Sequence, residues 1–386
     1  MELIFADDKF PNSIIKSIFL AGPSPRDKDT LDWRIEALDI LKSLHYDGTV
    51  FIPIPKNKFY GQDDSADWTY DNQINWECEG RARADKILFW VPRNILGKMP
   101  AFTTNIEFGE DIHSGKVVYG RPPEAEKCRY LDKRIQDMKE PIFEDLATLL
   151  KHTIDSLGVG SLRENGETTI PLFIWNTDNF KNWYHSLKEN NNRLENARVL
   201  NFHQVNNMVF AFTLHVKIWI EAEKRYKSNE FVFSRKDTSS VLAYYTDENS
   251  HTYIVLVKEF RSPVRNKMGY VYELPSGSAW NDINYQENAQ HELQEETGLY
   301  IKDPSRFKFV SQRQILATLC SHTNSLYKIE LSQEEFNSFN NASPCGNYED
   351  SEITYPILVK LNDIYKYPVD YSSLGMIFEA LNRQSD

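Results

Sequence analysis

Two textures divide this sequence, and that division limits the folds open to it more than any other feature. In the first half, short apolar runs alternate with helical periodicity. Ser17-Ile18-Phe19-Leu20-Ala21 and Val50-Phe51-Ile52 read as buried strands, closed by Gly22-Pro23 and by Pro53. Between them, Ile35, Leu38 and Leu41 recur at helical spacing within residues 33–44. Further strands are expected at 86–91 and 116–119, with helices from Thr104 and over 143–157. Such alternation predicts a parallel sheet with helices on its faces. Beyond Gly158, Gly160 and the polar run Arg163-Glu164-Asn165-Gly166-Glu167 the chain turns strand-rich. Every even position from Phe210 to Ile220 is apolar, with Thr213, His215 and Lys217 opposite, which is the period of a half-buried strand. Residues 253–260 and 354–361 read as strands too, and a final helix carries Leu374, Ile377, Phe378 and Leu381 behind a cap at Ser372-Ser373.

At 386 residues the chain exceeds what one core usually supports. The polar run sets the expected boundary, giving domains 1–160 and 161–386, the second with an extension over 161–205. A net charge of −12 argues against duplex nucleic acid as a partner, whose binding rests on Lys and Arg. It leaves a small nucleotide open as substrate, because a divalent cation can supply positive charge locally. Cys78, Cys128, Cys320 and Cys345 are too scattered for a zinc finger or a disulfide framework. The opening MELIFADDKF lacks a signal-peptide pattern, and the apolar stretch at 209–220 is too short to span a bilayer. The expectation is a cytoplasmic enzyme without a membrane partner. The aromatic segment 175–183 is read as inter-domain packing.

The densest chemistry lies in Glu273-Leu-Pro-Ser-Gly277 and, fourteen residues after that glycine, His291-Glu-Leu-Gln-Glu-Glu-Thr-Gly-Leu299. On a helix Glu292, Glu295 and Glu296 stand at i, i+3 and i+4, on one face. Three like charges so close repel unless a cation lies between them, and hard oxygen donors suit Mg²⁺ or Mn²⁺. Three glutamates alone would equally make a solvated acidic face. The surrounding residues resemble the Nudix box, with two departures. The family's first glutamate falls on Ile283 and its arginine on His291. Those two side chains brace the loop against the helix, so the resemblance implies a less rigid loop with metal binding kept.

Upstream, Val255-Leu-Val-Lys-Glu-Phe-Arg-Ser-Pro-Val264 and Tyr272-Glu-Leu-Pro-Ser-Gly277 look like the ADP-ribose pyrophosphatase branch of that superfamily. The resemblance covers about 205–381 and implies a C-terminal α/β/α Nudix fold with a mixed sheet. It also implies that Arg261 contacts substrate, that the Ser276 carbonyl joins Glu292, Glu295 and Glu296 around the metal, and that a mobile acidic loop supplies the general base. Tyr348-Glu-Asp-Ser-Glu352 falls where that loop belongs, making Glu349, Asp350 and Glu352 candidates, together with Glu296, for catalysis. Arg261 reads equally well as an ordinary strand-end charge. The expected reaction is hydrolysis of a diphosphate into two monophosphates.

In the first half, Ile18-Phe-Leu-Ala-Gly-Pro-Ser-Pro-Arg26, Trp33-Arg34, Trp76-Glu77, Ala84-Asp85, Phe89-Trp-Val-Pro-Arg93, Thr103-Thr-Asn-Ile-Glu-Phe-Gly109 and Gly115-Lys116 together resemble the nucleoside 2-deoxyribosyltransferase-like family over about 16–150. The resemblance implies a flavodoxin- or Rossmann-like parallel-sheet domain. Glu107 would attack the anomeric carbon, and Gly22, Arg26, Asp85, Arg93 and Asn105 would contact substrate. A carboxylate suits the attack because it stabilises an oxocarbenium-like transition state and leaves readily afterwards. Thr104-x-x-Glu107 also fits a capping box at a helix start. Characterised transferases carry an aspartate six residues before the glutamate, where this chain has Ala101. Transfer to a second base and plain N-glycoside hydrolysis both stay open. Both resemblances imply a homo-oligomer, such as a dimer, acting on small nucleotides with Mg²⁺ or Mn²⁺. The competing reading is a nucleotide sensor in which one domain binds without turnover.

Overall fold

The computed structural model describes residues 1–26, 30–62, 68–95, 97, 99–205, 208–278, 284–339, 343–347 and 352–383. The chain forms two compact units, Met1–Phe202 with Phe212–Phe231, and His203–Ala211 with Val232–Asp386. Among the described residues no helix is long and apolar enough to cross a membrane.

The first unit opens with β1 (Glu2–Phe5), β2 (Ser13–Ile14), β3 (Ser17–Ala21), α1 (Trp33–Ser43), β4 (Thr49–Ile52), α2 (Lys56–Phe59), α3 (Tyr70–Arg83) and β5 (Lys86–Trp90). It continues through α4 (Phe102–Asp111), β6 (Val117–Gly120), α5 (Arg129–Asp137), β7 (Ile142–Phe143) and α6 (Leu146–Leu157). Six strands form one sheet in the order β1-β4-β3-β5-β6-β7. All its neighbouring pairs are parallel. Alternate side chains of each strand face opposite ways, and both faces are covered, so the strands read as unbroken apolar runs. Ile18, Leu20, Val50 and Leu88 pack with Leu38 and Leu41 of α1 and with Leu149 and Leu150 of α6. Phe19, Ala21, Phe51 and Phe89 pack with Trp76 of α3, Phe108 of α4 and Leu131 of α5.

Residues 161–202, which the expected division at 160/161 assigns to the second half, fall in this unit. β8 (Arg163–Glu164) pairs antiparallel with β2. After α7 (Leu172–Trp175) and α8 (Asp178–Glu189), the rings of Trp175, Phe180 and Trp183 pack on one another, and Phe180 also meets Phe212. The aromatic segment is thus core of the first unit. Three long strands, β9 (Arg193–Val205), β10 (Met208–Ile220) and β11 (Arg225–Arg235), form a sheet with β10 in the middle. The period-two reading of β10 holds, since Phe212, Leu214, Val216 and Ile218 are buried.

The second unit is built on β12 (Thr238–Thr246), β13 (Thr252–Phe260), β14 (Tyr270–Glu273) and β15 (Ser276–Gly277), followed by α9 (Tyr285–Thr297). Then come β16 (Lys308–Gln314), β17 (Thr323–Glu330), α10 (Gln333–Ser338), β18 (Thr354–Lys360) and α11 (Tyr371–Asn382). The sheet is mixed: β12 lies parallel to β17 and antiparallel to β13, while β13 is antiparallel to β14 and β18. Ala289 and Leu293 of α9 pack against Val241, Val255 and Ile329. Ile377 and Ala380 of α11 pack against Leu242, Ile254 and Leu326. The cap of α11 is Asp370, whose carboxylate accepts from the Ser373 amide, and its packed face runs through Ser373, Ile377 and Ala380. Phe378, expected on that face, is exposed. Ile377 and Leu381 of the expected face do pack on the core, so the periodicity placed the helix and most of its face, and Phe378 alone of the four is turned outward.

Candidate active sites

In the first unit β3 ends at Gly22, where φ is +148° and an added Cβ would lie 2.2 Å from the Trp90 carbonyl oxygen. No side chain fits there. Arg34, fully buried, secures the turn that follows. Its Nε donates to the Leu20 carbonyl at 2.9 Å, and Nη2 donates to the Gly22 carbonyl at 2.7 Å. Nη1 reaches the Asp32 carboxylate at 3.2 Å, and the guanidinium lies 4.6 Å from the Trp33 ring centroid. This arginine is committed to the protein and is no free anion-binding cation.

Helix α4 starts at Ala101, in the left-handed region at φ 57°, with no side-chain cap. The capping box is therefore not formed. Thr104 lies buried inside the first turn, and Glu107 follows in the second. A cavity of about 180 Å³ is lined by Gly22, Ser24, Arg26, Arg34, Glu77, Ala101, Thr103 and Glu107. Burial pushes the Glu107 carboxyl up to about 7, the charge of Glu77 pushes the same way, and Arg81 and Arg34 oppose. Burial also raises Glu77, against the pull of its hydrogen bond from Gln73. Arg81 ties α3 to the far end of α4, donating to Asp111 at 2.5 Å and Glu110 at 2.9 Å. The result is two carboxyls on one small cavity, both raised by burial, an arrangement suited to acid–base and nucleophilic work.

Gly22, Arg26 and Glu107 are brought together as expected from the sequence, but three other candidates stand apart. Asp85, 2% exposed, is saturated by protein. It accepts from the Ser17 amide at 2.9 Å, the Leu172 amide at 2.9 Å and both terminal nitrogens of Arg163. It braces the start of the interior strand β5 and lines no part of the Glu107 cavity. Arg93 donates to Asn105 Oδ1 and to the carbonyls of Lys127 and Ala101, and with Asn105 it lines a separate cavity of about 340 Å³. Glu77 was present in the motif set without a role. Its spacing from Gln73, one helical turn earlier, was the available signal.

In the second unit the carboxylates converge from several elements. The amide of Ser276 donates to Glu296 Oε2 at 3.0 Å, and Glu296 is 3% exposed. An added Cβ on Gly277 would lie 2.5 Å from both Glu292 carboxylate oxygens, so a side chain there would displace that carboxylate. Glu295 is exposed, so the three helix glutamates differ in depth. Glu259 of β13, Glu296, and Glu352 just before β18 each offer an oxygen within 4.8 Å of the others. Glu259 carries no sequence-level signal beyond its place beside Arg261, and the strand alone brings it in. Arg261 sits among these acids, 2.7 Å from Glu259, 3.1 Å from Glu273 and 3.9 Å from Glu352. Burial, with the charges of Glu295 and Glu352, pushes Glu292 up to about 8. Burial lifts Glu259 to about 7 and Glu296 well above the carboxylate range.

This donor set fits a hard divalent cation. Burial first, and then mutual repulsion, raises Glu259, Glu292 and Glu296, and a cation among them would relieve both. Glu349, Asp350 and Ile283 lie outside the described residues. His291, at the position of the bracing arginine, is exposed.

Residues 15–125 match the family model described as nucleoside 2-deoxyribosyltransferase like. The first unit thus contains a domain of that kind, and the matched span takes in β3, β4, β5 and β6 of the sheet and both helices that carry Glu77 and Glu107. No family match supports the Nudix resemblance of the second half. No curated protein matches the chain.

Proposed function

We propose that the chain is a two-part nucleotide-metabolism enzyme, breaking an N-glycosidic bond in the first unit and a diphosphate in the second. The observation that carries the first activity is Glu107 itself. It is a half-buried carboxyl on the cavity wall, held near pH 7, within a segment matching a glycosyl-transferring family. Its carboxylate attacks the anomeric carbon, the base departs, and the glycosyl ester is opened by water or by a second base.

For the second activity, Glu259, Glu292, Glu295, Glu296 and Glu352 would hold Mg²⁺ or Mn²⁺, with the Ser276 carbonyl as a further oxygen. When bound, the cation supplies charge neutralisation to a diphosphate and acidity to a coordinated water. The chain's own contribution is placement. The Ser276 amide fixes Glu296, Gly277 leaves room for the Glu292 carboxylate, and Arg261 balances the acids beside it. Nudix-type hydrolysis of an ADP-ribose-like compound is the form of this activity that the sequence resemblance favours. The two activities join if the first unit's substrate already carries the diphosphate, as a nicotinamide dinucleotide does. The test is a metabolite screen with Mg²⁺ that reads free base and monophosphate separately. Release of base sensitive to Glu107→Gln and of monophosphate sensitive to Glu296→Gln is expected. Release of neither removes the proposal.

A further inference from the structure

Helix α4 lines two cavities with two different faces. Thr103 and Glu107, four residues apart, line the cavity already described, while Asn105, Gly109 and Ile112 follow at i, i+4 and i+7 on the opposite side. Residues of that side and of α5 line the cavity of about 340 Å³ that holds Arg93. The two cavities share no described lining residue. The second is within the range of small-ligand sites, about 300–1,000 Å³.

Its polar chemistry is one-sided. Arg93, Lys127 and Arg134 line it, and none of its described lining residues is an acid, in a chain of net charge −12. The acids next to it in sequence are engaged elsewhere. Glu126 accepts from the Ile95 amide, and Glu110 pairs with Arg81 at 2.9 Å. Arg134 meets Asp137 only at 3.9 Å, and the Lys127 ammonium has no partner among the described residues. Arg93, 7% exposed, leaves Nε buried without a hydrogen bond. Asn105 accepts from Arg93 on Oδ1, which orients its amide and leaves Nδ2 as a donor. Donors gathered without acceptors suit an acceptor-rich anion, above all a phosphate.

The rest of the wall is apolar. Phe108, Ile112 and Leu131 are buried along it, and the Tyr130 ring, 75% exposed, offers a face on which a flat base can stack. Gly109 keeps the space open, since a Cβ built there meets nothing within 4 Å. Glycine inside a helix is destabilising relative to alanine, and no close packing demands it at this position.

We propose that this cavity is a second nucleotide site, taking a nucleoside monophosphate with its phosphate on Lys127 and Arg134 and its base against Tyr130. The described lining residues include no carboxyl, imidazole or thiol, so the ligand is held and released unchanged. Arg93 joins the site to α4, donating to the Ala101 carbonyl at the start of the helix that carries Glu107. The site stands on its own lining and not on the chemistry assigned to Glu107.

Photolabelling locates the ligand. 8-Azidoadenosine 5′-monophosphate is photolysed with the full chain in EDTA, and the digest is read by mass spectrometry. The peptide carrying Tyr130 should be labelled saturably. Adenosine 5′-monophosphate should displace the label at lower concentration than adenosine or inorganic phosphate does. Lys127→Asn, which suits the left-handed backbone at φ 50°, should raise the half-labelling concentration by about tenfold or more, the worth of one charge-assisted hydrogen bond. Gly109→Leu fills the space and should remove the label. Melting midpoints near the native one show that both variants are folded. No label on that peptide, equal displacement by adenosine or by phosphate, or full labelling of folded Gly109→Leu overturns the second site, whatever happens at Glu107.

Discussion

Arg163 and Asp85 form a two-pronged ion pair closed to solvent, with Nη1 2.7 Å from Oδ1 and Nη2 2.6 Å from Oδ2. Arg163 also donates to the Ile170 carbonyl at 2.6 Å, so a residue of β8 is bonded to the start of β5 and to the chain leading into α7. Removing one partner leaves a buried charge unpaired, which costs about 3–5 kcal/mol. Arg163→Met should therefore lower the denaturation midpoint sharply by thermal or urea unfolding. Asp85→Asn should lose stability without a change in KM for any nucleoside that the protein turns over. A KM effect at unchanged stability would return Asp85 to the substrate site.

Glu107 gives a pH signature of definite sign. Its folded-state pKa of about 7 lies above the ordinary 4.5, so the folded state keeps a proton that the unfolded chain has lost between those values. Stability drawn from this group is complete below 4.5 and falls as pH rises through about 7. Glu107→Gln should match the native midpoint below that window and exceed it above. Base release, which needs the ionised carboxylate, should rise through the same window in the native protein. A flat pH–rate profile there would contradict the nucleophile assignment.

Glu295→Gln and Glu296→Gln should each abolish Mg²⁺-dependent diphosphate cleavage without unfolding the chain. Glu296 is the deeper of the two; burial raises it most, and Glu292, Glu352 and Glu259 add to that by repulsion. Glu296→Gln should thus melt higher than the native protein in EDTA and gain less from added Mg²⁺. Native cleavage rates in either variant would sink the metal assignment.

Arg261 plays the part of an internal counterion to Glu259 and Glu273. Its removal leaves buried acids facing one another. Arg261→Gln should lower the melting midpoint in EDTA, and Mg²⁺ should restore more of it than it adds to the native protein, since ligand binding to the folded state stabilises by mass action. Equal Mg²⁺ shifts in the two proteins would separate Arg261 from the cation's surroundings.

The sheet of the first unit was legible because its strands are buried on both faces, so runs such as Ile18-Phe19-Leu20-Ala21 announce themselves. Glu107 was legible through its neighbours in sequence, and the helix glutamates through their spacing. Glu77 and Glu259 were not, because each reaches its site from an element remote in sequence, and a lone glutamate on a helix or strand looks like a solvated charge. The polar run at 163–167 misled for the same reason in reverse. Arg163 reads as surface until Asp85, seventy-eight residues earlier, is seen to bury it. Arg93 and Asn105 sit in motifs beside Glu107 yet face another cavity, since adjacency in sequence does not fix which side of a helix a residue lines.

The covalent step at Glu107 is open to direct observation. Incubation with a 2-fluorinated nucleoside, whose electron-poor sugar slows opening of the ester, followed by intact-protein and peptide mass spectrometry, should reveal one added glycosyl group. That group should map to the peptide carrying Glu107 and be missing from Glu107→Gln. Base release with no adduct on any peptide, at an undiminished rate in Glu107→Gln, would contradict Glu107 as the nucleophile.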